Sequence, residues 1–210
     1  MSQQANHETK VRRTQADRTA DTRRRALDAT IRCLARDGYA ATTTTKVAQE
    51  AGISRGGMLH HFPTRAELLS ETLKDIEMTL RRKRIEALSK LPPDSDMFIP
   101  LTRIGWESYQ SEEAMALIEL AIAARGDDDL AAELRTTHGS VHGFQLEGSL
   151  RVARRAGIEN TEMVEAMHLL HTAAMRGLLI EQSVGIDPAR IDAAIELLVL
   201  YKEWFAERFS

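Results

Sequence analysis

The chain has 210 residues, enough for one large domain or two small ones, and its 43% of apolar residues can bury a core. No apolar run approaches the ~18 residues of a membrane span, residues 1–25 lack the apolar stretch of a secretory signal, and the single cysteine, Cys33, cannot make an internal disulfide. The net charge of −3 hides a division: residues 1–65 hold twelve Lys and Arg against six Asp and Glu (+6), and residues 66–210 hold sixteen against twenty-five (−9).

A cytoplasmic protein without a membrane partner is the expectation from these numbers. A basic front suits a polyanion, although on charge alone a solvated basic tail is an equal reading.

Residues 1–18 are polar and aperiodic, and are expected to form a flexible basic arm. From about Thr19 to Asp37 the pattern turns helical, with Leu27, Ile31 and Leu34 at i, i+4, i+7 and Gly38 as the stop. Cys33 lies beside this stripe as a small buried hydrophobe. In "TTTTKVAQEAG", Thr43 is placed to cap a second helix, whose Val47, Ala48 and Ala51 form a narrow apolar face ending at Gly52. Ile53 plugs the turn and Ser54 caps a third helix over residues 54–61, with Met58 and Phe62 inward and Gly56 and Gly57 outward. Two short helices joined by a glycine-containing turn form a helix-turn-helix. His60 and His61 are adjacent, diverge by about 100° on a helix and do not readily share a metal ion.

Pro63 and Thr64 open a long helix carrying Leu69, Leu73, Ile76 and Leu80 at i, i+4, i+7, i+11, ending near "PPDSD". Helices are then expected over about 96–110, 112–125, 127–156, 160–184 and 188–208. No stretch alternates like a strand. The chain reads as all-α, with about nine helices: a three-helix domain over 19–65 and a larger helical domain over 66–210.

The stretch "GYAATTTTKVAQEAGISRGGMLHHFPTRAELL", preceded by an arginine-rich helix, resembles the N-terminal domain of the tetracycline-repressor (TetR) family. The likeness covers about residues 20–70. It rests on the glycine–aromatic step, the threonine cap, "VAQEAGIS", "HHF" and a basic residue three positions on. It implies an all-α homodimer that binds double-stranded operator DNA, with repression as the family default, and a larger domain whose small-molecule effector releases the DNA. No cofactor is implied. By the resemblance Thr43 touches a phosphate, Thr45 occupies a DNA-reaching position, Ser54 caps the recognition helix with Arg55 beside it, and His61 and Arg65 meet phosphates. Gly57, Met58 and Leu59 stand where Thr-Leu-Tyr is common, so Gly57 and Leu59 are left to apolar contact with a thymine methyl. Lys46 and His60 add donors. Arg12, Arg13, Arg18 and Arg23–Arg25 are expected to add non-specific affinity or to enter a minor groove.

The last two helices are apolar over more than one stripe and need more than one partner. One stripe holds Met163, Met167, Leu170, Ala174 and Leu178; the other holds Ile191, Ile195, Leu198, Tyr201 and Phe205. The resemblance makes Leu170, Ala174, Leu178, Ile195, Leu198, Tyr201 and Phe205 a subunit interface. Trp106, Tyr109, Met115, His138, His142, Phe144, Gln145, Met167, His171 and Met175 are the candidates for lining an effector pocket. His138 and His142, at i, i+4, also suit a metal. "HGSVH" lacks the glutamate that zinc hydrolases place after the first histidine, so catalysis there is not expected and the chain is read as no enzyme. Two alternatives remain: a small helical enzyme or metal protein using His138 and His142, and a DNA-binding architectural protein without an effector.

Overall fold

The computed structural model describes residues 14–92 and 97–210; for residues 137–142 and 144 the helical backbone alone is described. Every regular element among them is helical: α1 Gln15–Ala41, α2 Thr44–Ala51, α3 Arg55–His61, α4 Arg65–Ser89, α5 Leu101–Tyr109, α6 Glu112–Ala123, α7 Asp128–Arg155, α8 Thr161–Ser183 and α9 Pro188–Phe209, with one 3-10 turn, Ala124–Gly126, between α6 and α7.

The helix starts follow from local chemistry. The side chains of Thr14, Thr43, Ser54, Thr64, Ser111, Asp127, Asn160 and Asp187 each accept a backbone N–H in the first turn that follows. Each such cap is worth about 1 kcal/mol. The first helix begins at Gln15, earlier than Thr19. The reason is a capping box: the Asp17 N–H donates to Thr14 Oγ1 at 3.1 Å, and the Thr14 N–H donates to Asp17 Oδ2 at 2.8 Å. Residues 14–18, expected in the arm, therefore belong to this cap and helix; Arg12 and Arg13 lie outside the described residues. Gly38 breaks α1 with φ 80°, a left-handed conformation that favours glycine. The helix expected from residue 96 starts at Leu101, after Pro100.

α1 divides its buried surface between two cores. Ala26, Leu27, Ala29 and Cys33 pack with Val47, Ala48, Ala51, Met58, Phe62 and Leu68 to close the three-helix head. Ile31 and Leu34 pack instead with Leu69, Leu73 and Ile76 of α4, Ala116 and Leu120 of α6 and Leu130 of α7. The pairing of α1 with α6 is the most extensive between any two helices. A third cluster at the far end joins Phe98, Ala153, Ile158, Val164, Met167 and Phe205. There Phe98 stacks on Phe205 at 6.3 Å, and the Lys202 ammonium lies 4.6 Å from the Phe98 ring centre.

Candidate nucleic-acid interface and ligand cavity

α2 and α3 are short, and tertiary packing sets their angle. Thr43 Oγ1 accepts the Lys46 N–H at 3.2 Å. Gly52 ends α2 at φ 61°, which lets the Ile53 N–H return to the Ala48 carbonyl at 3.0 Å. The Arg25 guanidinium clamps this end, donating to the carbonyls of Ala51 at 2.5 Å and Gly52 at 3.0 Å. Ser54 Oγ accepts the Gly57 N–H at 3.0 Å and starts α3. Met58 and Phe62 anchor α3 from below, both fully enclosed.

This leaves Arg55, Gly56, Leu59 and His60 of α3 exposed, with Thr43, Thr45 and Ser54 exposed beside them. His61 is half-buried, its ring edge-on to His60 at 5.3 Å. A Cβ on Gly56 would meet nothing within 4 Å, so this side of α3 is bare backbone. Gly57 is different from the expectation: a Cβ there would lie 3.2 Å from Ser54 Oγ, so its bareness serves the cap as much as the outer surface.

Other expected DNA contacts are engaged within the chain. Arg65 donates from Nε to the Thr42 carbonyl at 3.0 Å and from Nη2 to the Tyr39 carbonyl at 2.7 Å, and it stacks 4.1 Å over the Tyr39 ring. Its guanidinium ties α4 to the end of α1. Lys46 pairs with Asp37 at 3.0 Å. Arg23 pairs with Glu71, Arg24 with Asp28 and Asp75, and Arg25 is the clamp described above, so these three brace the head. Arg32 and Arg36 meet Glu50, and Arg36 also meets Asp37, stapling α1 to α2. The Arg36 hydrogen bond, then Lys46, holds the Asp37 carboxyl below the usual carboxylate range; Arg32, then Arg36, does the same for Glu50.

Below the head, a cavity of about 270 Å³ opens between α4, α5, α6, α7 and α8. Leu80, Leu117, Ile118, Ala121, Leu134 and Ile180 give it apolar walls, and Glu77, Arg84, Tyr109, Arg125, Gln145 and Arg176 supply polar groups. A second cavity of about 40 Å³ shares Arg84 and Tyr109 and is lined further by Met167, His171 and Met175. Burial, then the Lys202 charge, holds His171 below its ordinary value; both its ring nitrogens face carbonyls, Met167 at 3.1 Å and Leu198 at 3.2 Å.

Of the pocket candidates, Tyr109 and Gln145 reach the larger cavity, and Met167, His171 and Met175 the smaller one. Trp106 and Met115 line neither and pack with Ala114, Ile118 and Leu179. The side chains of His138, His142 and Phe144 lie outside the described residues. The three arginines on the larger cavity's wall were not anticipated. One sequence signal existed for Arg84: it falls in phase with Leu73, Ile76 and Leu80, where the stripe calls for an apolar residue.

α8 and α9 leave an apolar surface open. Leu169, Leu170, Ile180 and Val184 of α8 and its C-terminal cap, with Leu197, Leu200 and Trp204 of α9, are all exposed. Of the expected interface residues, Leu170 is in this surface, and Ala174, Leu178, Leu198 and Tyr201 are half-buried at its edge. Ile195 and Phe205 are corrected: they are 3% and 0% exposed, inside the chain's own core.

The profile of "Bacterial regulatory proteins, tetR family" matches residues 26–72, which are the last half of α1, the capped α2–α3 unit and the start of α4. Over these residues the chain is similar to the tetR family. It is 31% identical over 126 residues to the HTH-type transcriptional regulator CymR of Pseudomonas putida, across 60% of this chain and 62% of that protein. It is 28% identical over 194 residues to the HTH-type transcriptional regulator BetI of Rhizobium meliloti (strain 1021), across 83% of this chain and 85% of that one. A transcriptional regulator from Saccharomonospora viridis, solved in complex with choline, shares the fold with a TM-score of 0.71 at 17% identity, covering 88% of this chain and 96% of that one.

Proposed function

We propose that this chain is a ligand-responsive transcriptional repressor of the tetR family that binds double-stranded operator DNA as a homodimer and lets go when a small molecule enters the body. The observation that carries the reading is the path of α4. Thr64 caps it directly beneath α3, and 20 residues on the same helix Arg84 lines the larger cavity. At ~1.5 Å per residue, roughly 30 Å of continuous helix joins the reading head to the cavity.

In this reading α3 enters a major groove. Arg55 and His60 supply donors, Leu59 supplies apolar contact and Gly56 allows close approach of the backbone. Thr43, Thr45 and Ser54 meet the flanking phosphates. The open faces of α8 and α9 pair with a second copy, and the two heads read the halves of a pseudo-palindrome. A ligand that fits the cavity better in one tilt of α4 shifts the spacing of the heads by its differential affinity, typically ~1–3 kcal/mol of coupling. The choline complex of the Saccharomonospora regulator supports a ligand role for this body, and a cavity with apolar walls favours it over an architectural protein without an effector.

Titration of a labelled fragment from upstream of the chain's own gene tests this, at several salt concentrations and with excess competitor DNA. Saturable binding that survives competitor and weakens with salt is expected. Equal, weak binding to that fragment and to genome-selected fragments would sink the reading.

A further inference from the structure

We propose that the larger cavity takes a small organic anion, a carboxylate on a compact apolar body, with the Arg84 guanidinium as its counter-charge. The inference rests on the effector reading of the cavity and names the class of molecule.

The charge of the wall favours an anion. The described lining holds three guanidiniums, Arg84, Arg125 and Arg176, against one carboxylate, Glu77. Of the rest of the polar lining, Tyr109 and Gln145 can donate hydrogen bonds to an anion, while the Ser108 hydroxyl is already given to the Ile104 carbonyl at 2.9 Å. A cation such as choline meets a net positive wall here.

Among the described residues Arg84 has an electrostatic interaction with Tyr109 and no hydrogen bond or ion pair of its own. The neighbouring Lys83, exposed on the outer face, is paired with Glu113 at 2.9 Å. Arg84 continues the interior stripe of Leu73, Ile76 and Leu80 into both cavities. Desolvation is the leading influence on it and pulls it below its ordinary value, although an arginine stays charged at neutral pH. A desolvated guanidinium without a carboxylate partner among the described residues is costly unless something pairs with it, and its planar fork matches a carboxylate with two parallel hydrogen bonds.

The size of the cavity limits the ligand to a compact molecule. At about 270 Å³ the space lies just below the range typical of drug-sized ligands, ~300–1,000 Å³. A single ring or a short alkyl chain with one acid group fits it. Leu80, Leu117, Ile118, Leu134 and Ile180 cover the apolar part.

Calorimetry on the full chain decides, with matched probes: phenylacetate and hexanoate, their neutral amides, phenethylamine and choline. Native protein is expected to bind an acid in preference to its amide and to ignore the amine and choline. Arg84→Gln is expected to weaken acid binding by about tenfold or more, and Arg84→Lys by less, since a point charge keeps the attraction without the fork. Equal affinity for acid and amide, preference for a cation, or an Arg84→Gln variant that binds acid like the native protein would overturn the proposal. Should Arg84→Gln not fold, the acid–amide comparison on native protein decides alone. No binding by any probe overturns it together with the effector reading. An acid that binds through Arg84 yet leaves operator affinity unchanged upholds this inference and overturns the effector reading instead.

Discussion

Tyr39, at the end of α1, donates its hydroxyl to Asp127 Oδ2 at 3.0 Å, and Asp127 is the residue that caps α7 by accepting the Leu130 N–H at 2.9 Å. The same tyrosine gives its backbone N–H to Glu119 of α6 at 3.1 Å and takes the Arg65 guanidinium of α4 on its ring. Four helices thus meet at one residue, at the seam between the head and the body. Ala121, Ile122 and Arg125, which line the larger cavity, lie on the segment between Glu119 and Asp127.

Tyr39→Phe keeps the ring under Arg65 and removes the hydroxyl's bond. A single lost hydrogen bond of this kind lowers Tm by about 2–4 °C in a chain of this size. The informative readout is coupling. The variant is expected to bind operator DNA nearly as the native chain does and to respond less to an effector, because α7 no longer holds the end of α1. An unchanged ratio of DNA affinities with and without effector would show that the signal passes elsewhere.

Arg55 and Arg65 make opposite predictions although both stand at the expected DNA surface. Arg55 is exposed at the start of α3 and Arg65 is tied to two carbonyls. Arg55→Ala is expected to leave Tm within about 1 °C and to weaken specific DNA binding by ~1–3 kcal/mol if it reads a base, or to reduce the salt slope by about one if it meets a phosphate. Arg65→Ala is expected to lower Tm and to affect DNA through the head's stability. Melting curves beside binding titrations separate the two; an Arg65→Ala variant that melts like the native chain would contradict the strut.

That contrast marks what the sequence can carry. Thr43, Ser54 and Gly52 were legible because capping and left-handed turns depend on residues within four positions. The positions of Met58 and Phe62 were legible because helical phase sets them. Arg65 was not, since nothing local distinguishes an arginine aimed at DNA from one aimed at the Tyr39 carbonyl 26 residues away. α9 failed for another reason. It is apolar on two sides, so Ile191, Ile195, Val199 and Phe205 form one helical stripe and Leu197, Leu200 and Trp204 another. Periodicity finds both stripes; which of them faces the chain's own core is decided by α5, α7 and α8. Arg84 shows the converse: a residue out of character with its stripe was visible, but its meaning needed the cavity.

Acid weakens the staple between α1 and α2. The folded-state values of Asp37 and Glu50 lie below their ordinary 3.8 and 4.5, held there by Arg36, Lys46 and Arg32. The stability they lend is therefore present above those ordinary values and is lost as pH falls through the lower folded ones. Thermal melts between about pH 6 and pH 3 are expected to show this loss, and the pair Asp37→Asn, Glu50→Gln is expected to melt lower at neutral pH with a shallower acid slope. The same slope in native and doubly substituted protein would assign the acid sensitivity to other carboxylates.

The exposed stripe of α9 carries the last prediction. Leu197, Leu200 and Trp204 are 66%, 60% and 53% exposed and recur at i, i+3, i+7, with Leu169, Leu170, Ile180 and Val184 along the adjoining helix. Exposed apolar residues at helical spacing on two adjoining helices suit a protein partner, and a second copy presents the same helices by symmetry. Leu200→Arg replaces an exposed residue, so it does not disturb the chain's own core, and Phe205→Arg would. Light scattering is expected to find native protein as a dimer and Leu200→Arg as a monomer with intact helical content, the dimer constant weakened by at least ~2 kcal/mol for burying an unpaired charge at the seam. DNA binding is expected to fall with it, since one head contacts half a site. A Leu200→Arg protein that remains dimeric would place the subunit contact on another face of the body.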